Sequence, residues 1–102
     1  MTNVYTIDLW FEWDDAKNAS NLKKHGIDFE DAGHIFKGPV IQRRSSYSGE
    51  ERWLVTGKFE GKFFTVVYTP REGRIRLISA RRAWSNEIRE YCTQIDIRAW
   101  QR

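Results

Sequence analysis

The chain has 102 residues, of which 40% are hydrophobic and 30% charged, and its formal net charge is +3. This balance is typical of a soluble folded domain, and the length suits a single core, so we expect residues 1–102 to form one domain. No apolar run approaches the roughly 18 residues of a membrane-spanning helix, and no signal peptide is visible, which predicts a cytoplasmic protein. Cys92 is the one cysteine, which excludes an internal disulfide and leaves no zinc-binding spacing.

Charge is distributed unevenly along the chain. Residues 1–36 carry three lysines against seven acidic residues, whereas residues 37–82 carry eleven lysines and arginines against four glutamates. A local excess of positive charge favours the binding of a polyanion on one surface, because phosphate binding depends on local potential and counterion release. The alternative is a solvated basic face of a sheet.

The N-terminal part predicts a short strand followed by two helices. Residues 11–13 favour a strand, after which Asp14 can cap a helix that runs to about Lys24 and ends at Gly26. Its predicted apolar stripe is thin and consists of Ala16, Ala19 and Leu22.

A second predicted helix begins at Asp28, which acts as the cap, and ends at Gly38-Pro39. Its apolar residues fall on one face, as expected of a helix that packs on a core; they are Phe29, Ala32, Ile35 and Phe36.

From Val40 onward the pattern changes to short segments rich in β-branched and aromatic residues. The predicted strands are 40–44, 52–59, 62–69 and 74–82. Glu60-Gly61 predicts a tight hairpin, residues 70–73 predict the next turn, and residues 45–49 a looser loop.

Ser85 can cap a last helix, whose apolar positions are Ile88, Tyr91, Cys92 and Ile95. The tail after this helix has no clear prediction. The order β-α-α-β-β-β-β-α predicts an α+β domain in which an antiparallel sheet of about four strands packs against two N-terminal helices, with a C-terminal helix.

The last predicted strand, 74–82, carries four arginines. Strand alternation places Arg81 and Arg82 on opposite faces, with Arg76 on the face of Arg82. If Ile75 and Leu77 face the helices, Arg81 lies at the rim of the core-facing surface. A guanidinium offers a fork of donors that matches phosphate oxygens and can stabilise a pentacovalent phosphorane. The alternative is that Arg81 or Arg82 forms an ion pair with a nearby carboxylate, the candidates being Glu51, Asp14 and Glu87.

Two residues are candidates for moving protons. His25 follows Lys24 at the end of the first helix, and histidine is suited to proton transfer near neutral pH, although it can also serve only as a helix cap. Glu51 could accept a proton from a ribose 2′-hydroxyl while Arg52 contacts phosphate, or both could be solvated edge charges. Four aromatic side chains could stack on unpaired bases, namely Trp13, Tyr47, Trp53 and Tyr68. We expect most of them to belong to the core instead, with Tyr47, in the polar loop, as the exception.

Four segments in this order closely resemble the BrnT toxin family: FEWD at 11–14, NLKKHGIDFEDA at 21–32, EER at 50–52 and RIRLISARRA at 74–83. The resemblance covers roughly residues 11–91 and leaves the tail 92–102 outside. It implies a fold like that of the RelE toxins, RNA cleavage that arrests translation, and a BrnA antitoxin with a ribbon-helix-helix domain. It also implies a toxin-antitoxin complex that represses its own operon. The candidate positions that it carries are Lys24, His25, Glu51, Arg52, Arg81 and Arg82.

Together these features predict an endoribonuclease that needs no metal or other cofactor. The ribose 2′-hydroxyl attacks the adjacent phosphorus, Arg81 and Arg82 stabilise the phosphorane, and His25 or Glu51 moves protons. The sequence has no carboxylate cluster with metal-ligand spacing, which favours this mechanism over a two-metal nuclease. Predicted RNA contacts are Lys24, Arg52, Arg76 and Tyr47. Two alternatives from other classes are a non-catalytic module that binds nucleic acid or antitoxin, and a structural partner that dimerises the antitoxin.

Overall fold

The computed structural model of the chain describes residues 11–47 and 49–96. Their elements follow the predicted order and are β1 (Phe11–Glu12), α1 (Asp15–His25), α2 (Phe29–Ala32), β2 (Ile41–Tyr47), β3 (Glu50–Phe59), β4 (Lys62–Arg71), β5 (Arg74–Arg82) and α3 (Ser85–Tyr91). A 3₁₀ turn at Gly33–Lys37 extends α2, and a π-helical turn at Cys92–Asp96 extends α3. The α+β class is confirmed.

The sheet has five strands rather than four, in the order β1-β5-β4-β3-β2. Strands β2 to β5 form an antiparallel meander, whereas β1 pairs with β5 in parallel, through Phe11 opposite Ile75 and Glu12 opposite Arg76. The prediction of a four-stranded antiparallel sheet is therefore wrong. A two-residue strand carries too little pattern to show that it joins the sheet.

The hairpin at Glu60-Gly61 is tight, as predicted, whereas the next turn consists of Glu72-Gly73 alone and is shorter than the predicted 70–73. Both central residues of each turn have positive φ, 53° and 79° at Glu60-Gly61 and 52° and 80° at Glu72-Gly73. This is the backbone of a two-residue type I′ turn, whose twist matches that of the strands. Strand β4 consequently continues to Arg71, and pairing with β3 extends β2 to Tyr47, through most of the predicted loop.

Helix α1 contacts the sheet through polar rather than apolar side chains. The predicted stripe of Ala16, Ala19 and Leu22 is exposed, and the buried residue is Asn21. The Asn21 amide donates to the carbonyls of Ile27 and Ala80, and its oxygen accepts the N–H of Ala80. These bonds satisfy the backbone N–H and carbonyl of Ala80 in β5, as a neighbouring strand would. The prediction of an apolar stripe is therefore wrong, because hydrogen bonds hold this helix against the sheet.

Helix α2 and its 3₁₀ extension supply the core as predicted. Phe29, Ala32 and Ile35 are fully buried, and the Asp28 carboxylate caps the helix by accepting the N–H of Glu30. A Cβ at Gly57 would lie 2.9 Å from the Cβ of Ile35, so glycine is what allows the 3₁₀ turn to approach β3. We call the side of the sheet covered by α1 and α2 the helix face, and the other side the opposite face.

A bulge in β5 changes which arginine belongs to which face. Val67 lies opposite Ser79 and Tyr68 opposite Leu77, so Ile78 is an extra residue and the alternation shifts. Leu77 and Ala80 both pack in the core, Arg82 follows on the helix face, and Arg81 lies on the opposite face. The prediction that Arg81 lies at the core-facing rim is therefore wrong, because simple alternation does not include the bulge.

Helix α3 covers part of the opposite face. The buried Tyr91 packs edge-on against Phe63, with 5.3 Å between ring centroids, and its hydroxyl donates to the carbonyl of Pro39. The N-terminal cap is Trp84 rather than the predicted Ser85, because the carboxylate of Glu87 turns back to accept the Trp84 N–H.

Candidate functional site

A cavity of about 270 Å³ opens on the helix face, at the end of the sheet where β3 turns into β4. Three basic side chains line it, His25, Lys62 and Arg82, together with two acidic ones, Asp31 and Glu60. Apolar residues complete its wall, namely Ile27, Phe59 and Phe64. We call it the helix-face cavity. Two of the four predicted catalytic residues, His25 and Arg82, thus lie in one place.

Local structure explains why these side chains meet. Gly26 takes the left-handed conformation, with φ 72°, and ends α1, so His25 is the last helical residue. Asn21 ties the same helix to Ala80, two residues before Arg82. Lys62 enters the cavity because it directly follows the tight turn at Glu60-Gly61.

Arg82 is available for an anionic ligand. Among the ion pairs within the described part of the chain, none involves Arg82, and its guanidinium lies 5.7 Å from the centroid of the Phe64 ring. An imidazole can transfer a proton, while a guanidinium and an ammonium stabilise negative charge that develops on phosphate oxygens. The cavity therefore combines the two functions that phosphodiester cleavage requires.

Arg81 has a different environment, on the opposite face. Its guanidinium donates to both carboxylate oxygens of Glu87, at 2.9 Å each, and Glu87 is fully buried. The same carboxylate accepts from Arg43 at 2.9 Å, from the Thr65 hydroxyl at 2.9 Å and from the Trp84 N–H at 2.8 Å. We call these residues the Glu87 cluster. Of the alternatives open for Arg81, the ion pair with Glu87 is the one that the structure contains.

The carboxyl group of Glu87 is ionised at neutral pH. Burial acts to raise the pKa of Glu87, but the hydrogen bonds from Arg81, the Trp84 N–H and Thr65 outweigh it and bring the pKa to about 2. Because the single hydroxyl proton of Thr65 is donated to Glu87, Thr56 donates to Thr65 across 2.8 Å. Every donor that reaches the carboxylate is thus oriented by its negative charge.

Glu51 lies too far from the helix-face cavity to act on the same phosphate. It precedes Gly57 by six residues of strand, or about 20 Å, and Gly57 shares a cross-strand row with Phe64 and Arg82. Its carboxylate accepts the indole N–H of Trp53 at 3.0 Å. The pKa of the nearby Tyr68 is raised, first by burial and then by the charge of Glu51.

The predicted RNA contacts are dispersed. Lys24 is exposed beside His25, Arg52 pairs with Glu50 at 2.9 Å, and Arg76 donates to Glu12 at 3.1 Å. The backbone of Tyr47 belongs to β2, but its side chain lies outside the described part of the structure.

Sequence reasoning missed three residues that build these two sites, namely Asn21, Arg43 and Lys62, and it named Glu87 only as one of three possible ion-pair partners. Asn21 left a signal, since it is a polar residue inside a helix whose apolar stripe is weak. Lys62 directly follows a predicted hairpin, but nothing in the sequence brings that hairpin to His25. The pairing of Arg43 with Glu87 joins residues 44 positions apart.

Within 11–47 and 49–96, no three His, Cys, Asp or Glu side chains are grouped so that they could hold a metal ion. No helix in the same ranges is long and apolar enough to cross a membrane.

Fold and site together define a small α+β protein with a partly basic cavity suited to a phosphodiester. The model of the ribonuclease toxin BrnT, of type II toxin-antitoxin systems, matches residues 13–87. The chain therefore belongs to the BrnT family of ribonuclease toxins, and a toxin of this type has an antitoxin partner. A comparison with curated proteins finds no match.

Proposed function

We propose that this chain is an endoribonuclease that cleaves RNA without a metal ion, at the helix-face cavity. The observation that carries the proposal is that His25, Lys62 and Arg82 line one cavity, with Arg82 outside every described ion pair. Family membership supports ribonuclease activity in general. The cavity supports a particular mechanism for it.

In the proposed reaction the ribose 2′-oxygen forms a bond to the adjacent phosphorus, and the bond from phosphorus to the 5′-oxygen breaks. The products are a 2′,3′-cyclic phosphate and a new 5′-hydroxyl. One proton leaves the 2′-hydroxyl and another reaches the departing 5′-oxygen. His25 moves one of them, and a carboxylate of the cavity, Asp31 or Glu60, moves the other.

Arg82 and Lys62 stabilise the negative charge on the phosphorane oxygens. Arg81 does not bind the scissile phosphate in this proposal, because its guanidinium donates to both carboxylate oxygens of Glu87. Glu51 takes no part at the same phosphate, since it lies at the other end of β3. Lys24, next to His25, remains the best placed of the predicted RNA contacts.

Family membership extends the proposal to the cellular role. The fold is RelE-like, the toxin acts in the cytoplasm, and RNA cleavage arrests translation. The antitoxin is BrnA-like with a ribbon-helix-helix domain, and the toxin reaches operator DNA only through it. Two helices on one face of an antiparallel meander support the fold assignment.

The test is cleavage of single-stranded RNA by antitoxin-free protein in EDTA. We expect products with cyclic or 3′-phosphate ends, no cleavage where the scissile nucleotide is 2′-deoxy, and a loss of at least about 100-fold in His25→Ala, the usual scale for general acid-base catalysis. Arg71→Ala is the control, since Arg71 is exposed at the far end of β4. A requirement for added magnesium would refute the mechanism. Intact RNA beside a folded protein would favour the non-catalytic binding module.

A further inference from the structure

Trp84 is an exposed aromatic side chain held in a fixed position. It is 57% exposed and is one of two large hydrophobic residues in the described ranges with such exposure, the other being Leu22 at 46%. The guanidinium of Arg81 stacks on the indole at 3.7 Å from the ring centroid. Arg81 in turn is fixed by both oxygens of the buried Glu87. One face of the indole is therefore covered by a rigid cation, and the large exposed fraction leaves the other accessible.

We propose that Trp84 is a stacking site for an unpaired RNA base next to the scissile phosphate; this rests on the proposed function. Base stacking on an aromatic ring tolerates any sequence, and a ring that is already ordered loses little entropy on binding. The occupant is a single-stranded nucleotide, because a duplex does not offer a free base face.

A second arginine on the same carboxylate supports a nucleotide as the occupant. Arg43 donates to the same Glu87 oxygen as Arg81, and its side chain is 45% exposed. A guanidinium has five N–H donors, so Arg43 keeps donors that a phosphate can accept. Trp84 and Arg43 thus provide a stacking surface and a phosphate contact around one carboxylate.

The position of Trp84 relative to the cavity explains how one RNA strand reaches both sites. Trp84 follows Arg82 by two residues, so their Cα atoms lie at most about 7 Å apart. Arg82 points to the helix face, whereas Trp84 stacks with Arg81 at the opposite face. A strand that bends around this end of the sheet places one phosphate at Arg82 and a neighbouring base on Trp84.

The experiment measures binding separately from cleavage. The probe is a single-stranded RNA with 2′-methoxy groups throughout, which cannot be cleaved by 2′-hydroxyl attack, in a series with one abasic position in each member. We expect one abasic position to weaken binding to the parent roughly 5- to 100-fold, the scale of one base-aromatic stack. Trp84→Ala should bind the RNA that has all its bases as weakly as the parent binds the sensitive abasic RNA. In this variant the abasic position should cause no further loss of affinity, whereas Trp84→Phe should retain most of the parental affinity.

Leu22→Ala is the matched control for removal of an exposed hydrophobic side chain, and thermal unfolding verifies that all variants fold. The proposal is overturned if Trp84→Ala binds the probe as the parent does, or if the abasic penalty persists in that variant. It is also overturned if Trp84→Ala loses antitoxin binding alone. If the protein does not cleave RNA but one abasic position still weakens binding to the parent and not to Trp84→Ala, the proposed reaction is refuted and the stacking site is supported.

Discussion

The two consecutive arginines of β5 differ more in environment than in sequence position. Arg81 lies in the Glu87 cluster, with a side chain 17% exposed and both carboxylate oxygens as partners. Arg82 lies in the helix-face cavity, with no described acidic partner. Strand alternation turns them to opposite sides of the sheet. One guanidinium is held in a buried ion pair and the other has no described acidic partner, so adjacent identical residues need not share an environment.

The largest expected effect is on stability and comes from Glu87. Glu87→Leu removes the carboxylate that neutralises Arg81 and Arg43 and leaves buried donors without acceptors. Breaking a buried ion pair in this way costs about 3–5 kcal/mol of unfolding free energy. Urea denaturation measures it. Glu90→Gln, an exposed position on the same helix, should stay within about 0.5 kcal/mol of the parent.

The pH dependence of stability should follow from the same carboxylate. The folded pKa of Glu87 is about 2, below its ordinary 4.5. Its contribution is therefore fully present above about pH 4.5 and is lost as the pH falls toward 2, with a total of about 3 kcal/mol. Comparing the parent with Glu87→Gln by urea denaturation at several pH values isolates this contribution, because the variant lacks the titrating group. Equal slopes in the two proteins would contradict it.

Asn21→Ala should weaken both stability and activity. The variant leaves the carbonyls of Ile27 and Ala80 and the N–H of Ala80 without their partner. We expect a loss of about 2–3 kcal/mol. Helix α1 should also shift relative to Arg82, so RNA cleavage should decrease at temperatures where the protein stays folded. Ser20→Ala, exposed on the same helix, is the control for both measurements, and an equal effect there would refute the anchoring role.

The smallest expected effect on stability is that of Lys62→Ala, within about 0.5 kcal/mol, because Lys62 is exposed. Its cleavage rate should nevertheless fall roughly 10-fold or more, since one cation that stabilises the phosphorane is lost. The matched control is Lys58→Ala, an exposed lysine that lies over the Phe63 ring at 5.2 Å, on the opposite face. If Lys62→Ala cleaves RNA at the same rate as Lys58→Ala, Lys62 does not contribute to cleavage.

Much of the architecture was predictable because it depends on local patterns. The bounds of β5, the cap at Asp14, the buried face of α2 and the turn at Glu60-Gly61 all follow from periodicity and turn chemistry. What failed depends on contacts between distant residues. Helix α1 packs through Asn21 rather than through an apolar stripe, because Asn21 hydrogen-bonds to Ala80 in β5. The cap of α3 is Trp84 rather than Ser85, because the Trp84 N–H donates to Glu87.

The candidate site was predictable only in part. His25 and Arg82 were identified by their chemistry, and the structure brings them together. Glu51 and Arg81 were chosen by the same reasoning, but the sequence does not show which end of β3 lies near His25, nor the bulge at Ile78. Lys62 was missed because its place in the cavity depends entirely on where the hairpin meets α1.

The most direct test of the division between the two arginines measures unfolding free energy and metal-free RNA cleavage for Arg82→Ala and Arg81→Ala together. We expect Arg82→Ala to fold with parental stability, within about 0.5 kcal/mol, and to cleave at least about 100-fold more slowly. Arg81→Ala should lose about 3 kcal/mol or more of unfolding free energy, because Glu87 is then buried with fewer donors. Parental cleavage by Arg82→Ala, or parental stability of Arg81→Ala, would contradict the assignment.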